Sequence, residues 1–560
     1  MILGRAGRVL LSSVVAVGLS AATASIAAPP ASDLVPARSG LRSQAIAALS
    51  AASPGTACLT PLVQSMRSER LRATAPVRRA IAFLATDPAL PPERLGADGD
   101  RVTARFVSDR PAFDWSDLLD DDANGRPDPI DAALSGANEA QRLLVGQLEL
   151  PSPGLVEIVL GRLGSNVEGL ALPIPGRPDR THIWLDPSVR GGAVAVRRSA
   201  EHQFAHAVAV AAGLDPAWGE AFATWTTMAV EGSPDDRTVA ALAGRFAAQA
   251  NGLVTEDFEF AAGNAAWFAF LNDAYGLTAV KLAVEELGGG GSDQAALDRA
   301  LRRATGSSIE SALRDFQLWS LLVGSRVDGK HFNFASRLPN PPFAATADAI
   351  PAMSVQGDPP VGPMGQTAVL IRPDELGGGM ALRFEGDMSS LWGADVLVVR
   401  EDGAMQRVPV AIDAQQSGDL TLPLNDVSEV ILLIRNLDPE GRPARRYSWA
   451  ASFERGFPAE FASLHAQAAS ADGGVLVSWE TAGERRLLGF NVLRSRSDRD
   501  AATRVNPVWI PAVGASSEPA AYSFFDAGAL PGVSYRYHIE AVTLDGLLSR
   551  SDAVALAPAP

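Results

Sequence analysis

The chain holds one cysteine, Cys58, in 560 residues. A lone cysteine excludes an internal disulfide, so stability must come from packed cores and bound ions. By residue type Cys58 reads as a small buried hydrophobe, with pairing between two chains as the alternative. Lysine is almost missing, with Lys281 and Lys330 alone, so the basic side chains are nearly all arginine. Acids outnumber bases 64 to 48, for a net charge of −16. That balance excludes electrostatic capture of nucleic acid or of an anionic membrane surface. Past the first 28 residues no apolar run approaches the ~18 residues that a membrane span needs. There is no G-x-S-x-G nucleophile elbow, and "GGGGS" at 288–292 lacks the GK[ST] of a phosphate loop.

What is present describes a folded, exported, multidomain chain. Composition is 47% hydrophobic and 20% charged, the range of globular proteins. Residues 1–28 read as a signal peptide. Arg5 and Arg8 precede an apolar stretch from Val9 to Leu19, and "AATASIAAPP" offers cleavage after Ala24, Ala27 or Ala28. The expectation is a protein secreted or held in the cell envelope, with no membrane span in the mature chain. Losing two arginines with the signal takes its charge to about −18.

Composition then marks four segments. Residues 29–100 are an Ala/Ser/Pro-rich leader followed by helical periodicity over 59–86. Residues 101–338 read as an α+β unit. Strands are predicted at "RVTARFV", "GLVEIVLGRLG" and "THIWLDPSV". Helices are predicted at about 193–213, 216–231, 235–250, 262–275, 277–287, 293–304 and 308–323. "PNPPF" is a linker signal. Residues 344–455 carry seven short alternating segments, the pattern of a β-sandwich. Residues 459–560 form a second all-β unit, in which "GGVLVSWET" aims Trp479 into a core. Over nearly its whole length this last unit resembles a fibronectin type III domain, "LPGVSYRYHIEAVTLDGLLS" being similar to a late strand and turn of that family. The resemblance implies that Tyr535 buries its ring and bonds backbone through its hydroxyl.

The densest chemistry lies in "SAEHQFAHAV" at 199–208. On a helix, His202 and His206 share a face about 5–6 Å apart, where two neutral imidazoles can bind one Zn²⁺. Core packing is the alternative, since Phe204 and Ala209 are neighbours. A third ligand is available in "DPAWGEAFATW", where Glu220 follows a Pro/Gly-containing turn. Two histidines and a glutamate form a known catalytic zinc shell. The remaining histidines, His182, His331, His465 and His538, are isolated and read as surface or satisfied core.

A second motif is acidic. "DDDANGRPDPID" at 120–131 has EF-hand-type spacing for Ca²⁺. Asp120, Asp122 and Asn124 fall at loop places one, three and five, with Gly125 at the sharp turn. Arg126 offers its carbonyl at seven, Asp128 sits at nine, and Asp131 closes at twelve. The alternative is a solvated acidic turn at the start of the next helix.

In order and spacing, "DDDANGRPDPID", "AEHQFAH" and "WGEAFATW" resemble a family of secreted bacterial metalloproteases of the zincin type, over roughly residues 100–335. The resemblance implies a zincin-like α+β domain followed by two all-β sandwich domains, with His202, His206 and Glu220 as metal ligands. Two positions depart from the pattern. Ala221 stands where the family has glycine. Gln203 stands where it has the general-base glutamate, and an amide cannot take a proton from zinc-bound water. A missing general base costs about 10²–10⁴-fold in rate. Glu201 is adjacent but projects about 100° around the helix from His202. The expectation is a zinc-metallopeptidase homologue that binds metal and hydrolyses poorly, gaining activity on Gln203→Glu. One other reading is an extracellular binding protein whose β domains recognise a polypeptide or cell-surface partner. Another is an active metalloprotease with an unusual base.

Overall fold

The computed structural model describes residues 58–67, 77, 78, 81, 102–106, 120, 121 and 127–556. Short gaps within the last span fall at 162, 164–166, 175, 188–190, 255–256, 374–378, 425, 439–442, 455–458, 470–472, 485–486, 497–499, 514–518 and 544–547. The stretches read above as signal peptide and loose leader, residues 1–57, lie outside the described residues.

The first unit is built on a four-stranded sheet. Strands β1 (Val102–Phe106), β2 (Leu155–Leu160), β3 (Gly169–Ile174) and β4 (Arg177–Leu185) lie in the order β1-β2-β4-β3. β1, β2 and β4 run parallel, and β3 is an antiparallel edge strand on β4. Such a sheet has two buried faces, which explains its long apolar runs. Val156, Ile158, Leu160, Ala171, Ile183 and Leu185 face the main helical core. Val159, Leu170, Leu172 and Trp184 face a smaller cluster supplied by the N-terminal helix α1 (Thr60–Arg67), through Leu62 and Val63, and by the preceding Leu59. Sequence reading placed three strands here and overlooked β3. "GLALPI" has a proline and no β-branched run, so little in it signals a strand until its pairing with β4 is seen.

Helices cover the other face. α2 (Asp128–Gln141) crosses from β1 to β2, and α3 (Gly192–Ala211) packs beside it. The two come very close at Gly136, where a Cβ would stand 2.2 Å from the carbonyl oxygen of Arg197. α3 is buried on nearly every side, from Val196 to Ala209, as expected of a helix lodged between layers. After Gly213, at φ +79, Asp215 caps α4 (Pro216–Glu231) by accepting from the Ala217 N–H. α5 (Asp236–Ala247), α6 (Phe258–Gly263), α7 (Ala265–Tyr275), α8 (Leu277–Gly288), α9 (Asp293–Thr305) and α10 (Ile309–Leu321) complete the layer. Among the described residues, no helix is long and apolar enough to cross a membrane.

Two all-β units follow. In the first, a five-stranded sheet holds β10 (Met405–Val410), β9 (Trp392–Arg400), β12 (Val427–Asn436), β7 (Gln366–Ile371) and β5 (Ala345–Ala347), in that order. It faces a four-stranded sheet of β11 (Ser417–Pro423), β8 (Gly379–Gly386), β13 (Tyr447–Glu454) and β6 (Ala352–Ser354). The seven expected strands are all present, and β5 and β6 are additions too short to announce themselves. "VILLIRN" does not alternate because β12 is buried on both sides. Val430, Leu432 and Ile434 enter the sandwich core, whereas Ile431 and Leu433 pack with Leu318 and Leu321 of α10. The C-terminal unit, residues 459–556, pairs a three-stranded sheet with a larger one. Trp479 is 1% exposed and stacked on Tyr522, and the Tyr535 hydroxyl accepts from the Leu530 N–H at 3.2 Å, as expected.

The helical unit and the sandwich share a buried polar lock. Arg435 forms an ion pair with Asp395 Oδ2 at 2.7 Å and donates to Gln317 Oε1 at 2.7 Å, and Arg314 reaches Asp395 Oδ1 at 2.7 Å. Removing one partner of a buried pair strands the other charge, at about 3–5 kcal/mol. Asp395→Ala should therefore lower the denaturant midpoint of the full chain by that much stability. An unchanged midpoint would show the lock to be incidental.

Candidate metal centre

The site grows from α3. Spacing of i and i+4 puts His202 and His206 on one face, with ring centroids 4.8 Å apart and Nε2 atoms 3.1 Å apart. The tight connection at 212–215 folds α4 back on α3, so Glu220 returns to the pair. Its Oε2 lies 3.0 Å from His206 Nε2, and its Oε1 lies 3.5 Å from His202 Nε2. The three predicted ligands are brought together.

A fourth donor, unforeseen from sequence, joins them. Cys58 Sγ lies 3.3 Å from His206 Nε2, and the ligand atoms of Cys58, His202, His206 and Glu220 all lie within 4.8 Å of one another. The expectation of a buried cysteine holds, but Cys58 is a donor in a cluster that could bind a metal, not packing alone. The edge strand carries it there. Cys58 forms a parallel bridge with Gly169 at the start of β3, and Leu59 N–H donates to the Gly169 carbonyl at 3.3 Å. The one available sequence signal was a lone cysteine in a chain with a helical histidine pair.

Gln203 sits beside the thiol. Its Nε2 donates to Cys58 Sγ at 3.3 Å, and its Oε1 accepts from Thr60 Oγ1 at 2.7 Å. Thr60 Oγ1 in turn accepts from the Ala171 N–H of β3 at 2.8 Å. Glu201 does not approach the cluster. It is buried, and burial with the neighbouring Glu231 carboxylate pushes its pKa up to about 9, so it is neutral near pH 7.

The cluster is a buried set of charges. Burial would lower the His202 imidazole, but Glu220 and Cys58 reverse this and push it up to about 10. His206 is raised as well, burial being outweighed by Cys58 and Glu220. Burial and Glu220 push the Cys58 thiol up, yet His206 and hydrogen bonds from both imidazoles bring it down to about 6. Burial also raises the Glu220 carboxyl, and the two histidines overcome it and hold it well below the usual carboxylate range. Two anions buried together thus require positive charge, from imidazolium or from a cation. A cavity of about 280 Å³ opens over the cluster, with Arg198, His202, Gln203, Glu220 and Thr224 in its wall.

Other predicted residues lie elsewhere. His182 is buried, and its Nε2 pairs with Glu157 at 3.0 Å, while its Nδ1 has no hydrogen-bond partner among the described residues. His331 bonds Asp328, and His538 bonds the Ser551 carbonyl. Of the calcium loop, Asp122, Asn124 and Arg126 lie outside the described residues. Asp128 and Asp131 stand in the first turn of α2, and Asp128 Oδ1 accepts from the Asp121 N–H at 3.1 Å.

No family model matches this chain, and no curated protein matches it. Solved structures align only in part. One titled as a myokine structure is 18% identical at a TM-score of 0.14, covering 18% of this chain and 99% of that one. A beta-1,2-glucanase from Parabacteroides distasonis is 14% identical at a TM-score of 0.12, covering 33% and 28%. A GH2 beta-galacturonidase from Eisenbergiella tayi is 14% identical at 0.13, covering 34% and 37%. The chain thus spans well under half of these two enzymes.

The close fit of Gln203 is testable without any ligand. A Cβ on Gly169 would stand 2.7 Å from Gln203 Cγ. Gly169→Ala should destabilise by about 1–3 kcal/mol through overpacking, and most of that should vanish in a Gln203→Ala background. Equal costs in both backgrounds, measured by denaturant unfolding, would refute the contact.

Proposed function

We propose that this chain is an exported zinc-metallopeptidase homologue that binds zinc through His202, His206 and Glu220 and hydrolyses peptides poorly. One observation carries the reading: these donors and Cys58 converge on a single point. A tetrahedral zinc with bonds of about 2.0–2.3 Å sets ligand–ligand edges at roughly 3.3–3.7 Å. Four of the separations here are 3.0, 3.1, 3.3 and 3.5 Å, the first and last to different oxygens of Glu220, and all the ligand atoms lie within 4.8 Å of one another. The charges also fit, since a thiolate, a carboxylate and two neutral imidazoles balance a divalent cation.

Bound there, zinc supplies Lewis acidity and lowers the pKa of any water it holds to about 7. The protein must then move that water's proton. Gln203 cannot accept it, because an amide does not titrate. Glu201 faces Glu231, Arg197 and Glu139 instead, and is protonated. No carboxylate replaces the missing base among the described neighbours of the cavity except Glu220, itself a ligand, and the peripheral Glu168 and Asp235. The zincin-type and fibronectin-type resemblances belong to the same proposal, supported by the α3–α4 arrangement and by the Trp479 and Tyr535 placements.

Elemental analysis of the purified chain tests the reading. We expect about one zinc per chain, and under a tenth of that in His206→Ala. A zinc-loaded, dialysed wild type that retains none would overturn it. Chelator-sensitive peptide turnover with kcat in the ordinary range of about 1–10³ s⁻¹ would overturn the poor-hydrolysis half.

A further inference from the structure

We propose that Cys58 is the resident fourth ligand of this centre, and that Gln203 is the positioning residue that holds its sulfur in place. The inference rests on the metal-binding reading above and changes what the site is for. With four protein ligands the coordination shell is closed, as in structural zinc sites, whereas a hydrolytic site keeps one place for water.

Directional hydrogen bonding supports the assignment. The Ala171 N–H donates to Thr60, the Thr60 hydroxyl donates to Gln203 Oε1, and Gln203 Nε2 donates to Cys58 Sγ. Each link uses a donor against an acceptor, and the last delivers an N–H to sulfur. Hydrogen bonds of this outer kind orient and tune metal ligands. A glutamate at 203 has no N–H to give and would set a carboxylate against a buried thiolate. Glutamate suits a water in the fourth place, and glutamine suits a sulfur there. The residue at 203 therefore matches the ligand beside it and is more than a lost base.

Packing makes the arrangement permanent. Leu59, Leu62 and Val63, next to Cys58, are 1%, 5% and 0% exposed, lodged against Leu170, Leu172 and Trp184. Gly169 leaves the room that Gln203 Cγ occupies. Cys58 and Leu59 also pair with Gly169 at the start of the edge strand β3, on the side where an added polypeptide strand would pair. The chain itself fills both the fourth ligand position and the start of that edge. The metal then acts as a staple, tying the N-terminal segment to α3 and α4 in a protein without disulfides.

Cobalt(II) reads the fourth ligand directly. The full-length chain, stripped of metal and titrated with Co²⁺, should show visible bands of a four-coordinate ion and a near-ultraviolet thiolate-to-cobalt charge-transfer band. Cys58→Ser should keep the bound cobalt and lose the charge-transfer band; the retained ion shows that the variant is folded. Gln203→Met, close in volume but without the N–H, should shift that band and weaken cobalt binding about 10–100-fold. Gln203→Glu alone should gain no peptide hydrolysis, because the thiolate still occupies the fourth place. Stoichiometric cobalt with no charge-transfer band in the wild type would overturn the Cys58 assignment and leave the three-residue centre standing. Hydrolysis gained by Gln203→Glu alone would overturn the closed shell. A chain that takes up no cobalt would refute the metal-binding reading itself, and this inference with it.

Discussion

Two acidic groups, the Cys58 thiol and the Glu220 carboxyl, are buried within a few ångströms of each other, and the local architecture is organised around them. Removing charge from water is costly unless opposite charge and hydrogen bonds replace the lost hydration. Here His202 and His206 fill the space between the anions, and Gln203 supplies an N–H to the sulfur. The short α3–α4 connection, the bare Cα of Gly169 and the threonine beside the cysteine all serve this one convergence.

The frame around the cluster explains how such a geometry is held. α3 is enclosed by α2, α4 and the sheet, so its histidines move only if the core moves. The sheet is clamped from its other face by α1 and the residues flanking it. The same short segment thus supplies a ligand atom and part of the apolar layer that anchors it. Further along the chain, α10 lies on the sandwich through Leu318, Leu321 and the Arg435–Asp395 lock. The first β unit is therefore fixed to the helical unit by a mixed apolar and ionic contact.

Much of this was legible in the chain before any coordinates. Helical period located α3 to α5 and α7 to α10, with differences mainly at their ends, and the six-residue α6 was missed. The histidine pair was readable because i and i+4 share a helix face whatever the tertiary fold. Glu220 was readable because a tight turn with Gly213, Asp215 and Pro216 can only double the chain back nearby. Trp479 was readable from its strand, and Tyr535 from the resemblance of its stretch to a late strand and turn of fibronectin type III domains. The strand β3 was missed because "GLALPI" has weak intrinsic strand character and is ordered by its pairing with β4. The lack of alternation in "VILLIRN" was explained only when α10 was found on its outer face.

The local physics of the sequence determined that a helix would present two imidazoles to one point, that a carboxylate would return to them, and that no base would stand at 203. Only the tertiary structure decided what faces them on the remaining side. Cys58 lies 144 positions before His202, and no periodicity or turn rule spans such a distance. An edge strand pairing in parallel with the residue at Cys58, and an apolar layer beneath α1, bring them together. Those contacts exist only once the sheet has formed, because they join residues whose proximity is a property of the assembled layers and not of any local stretch of chain.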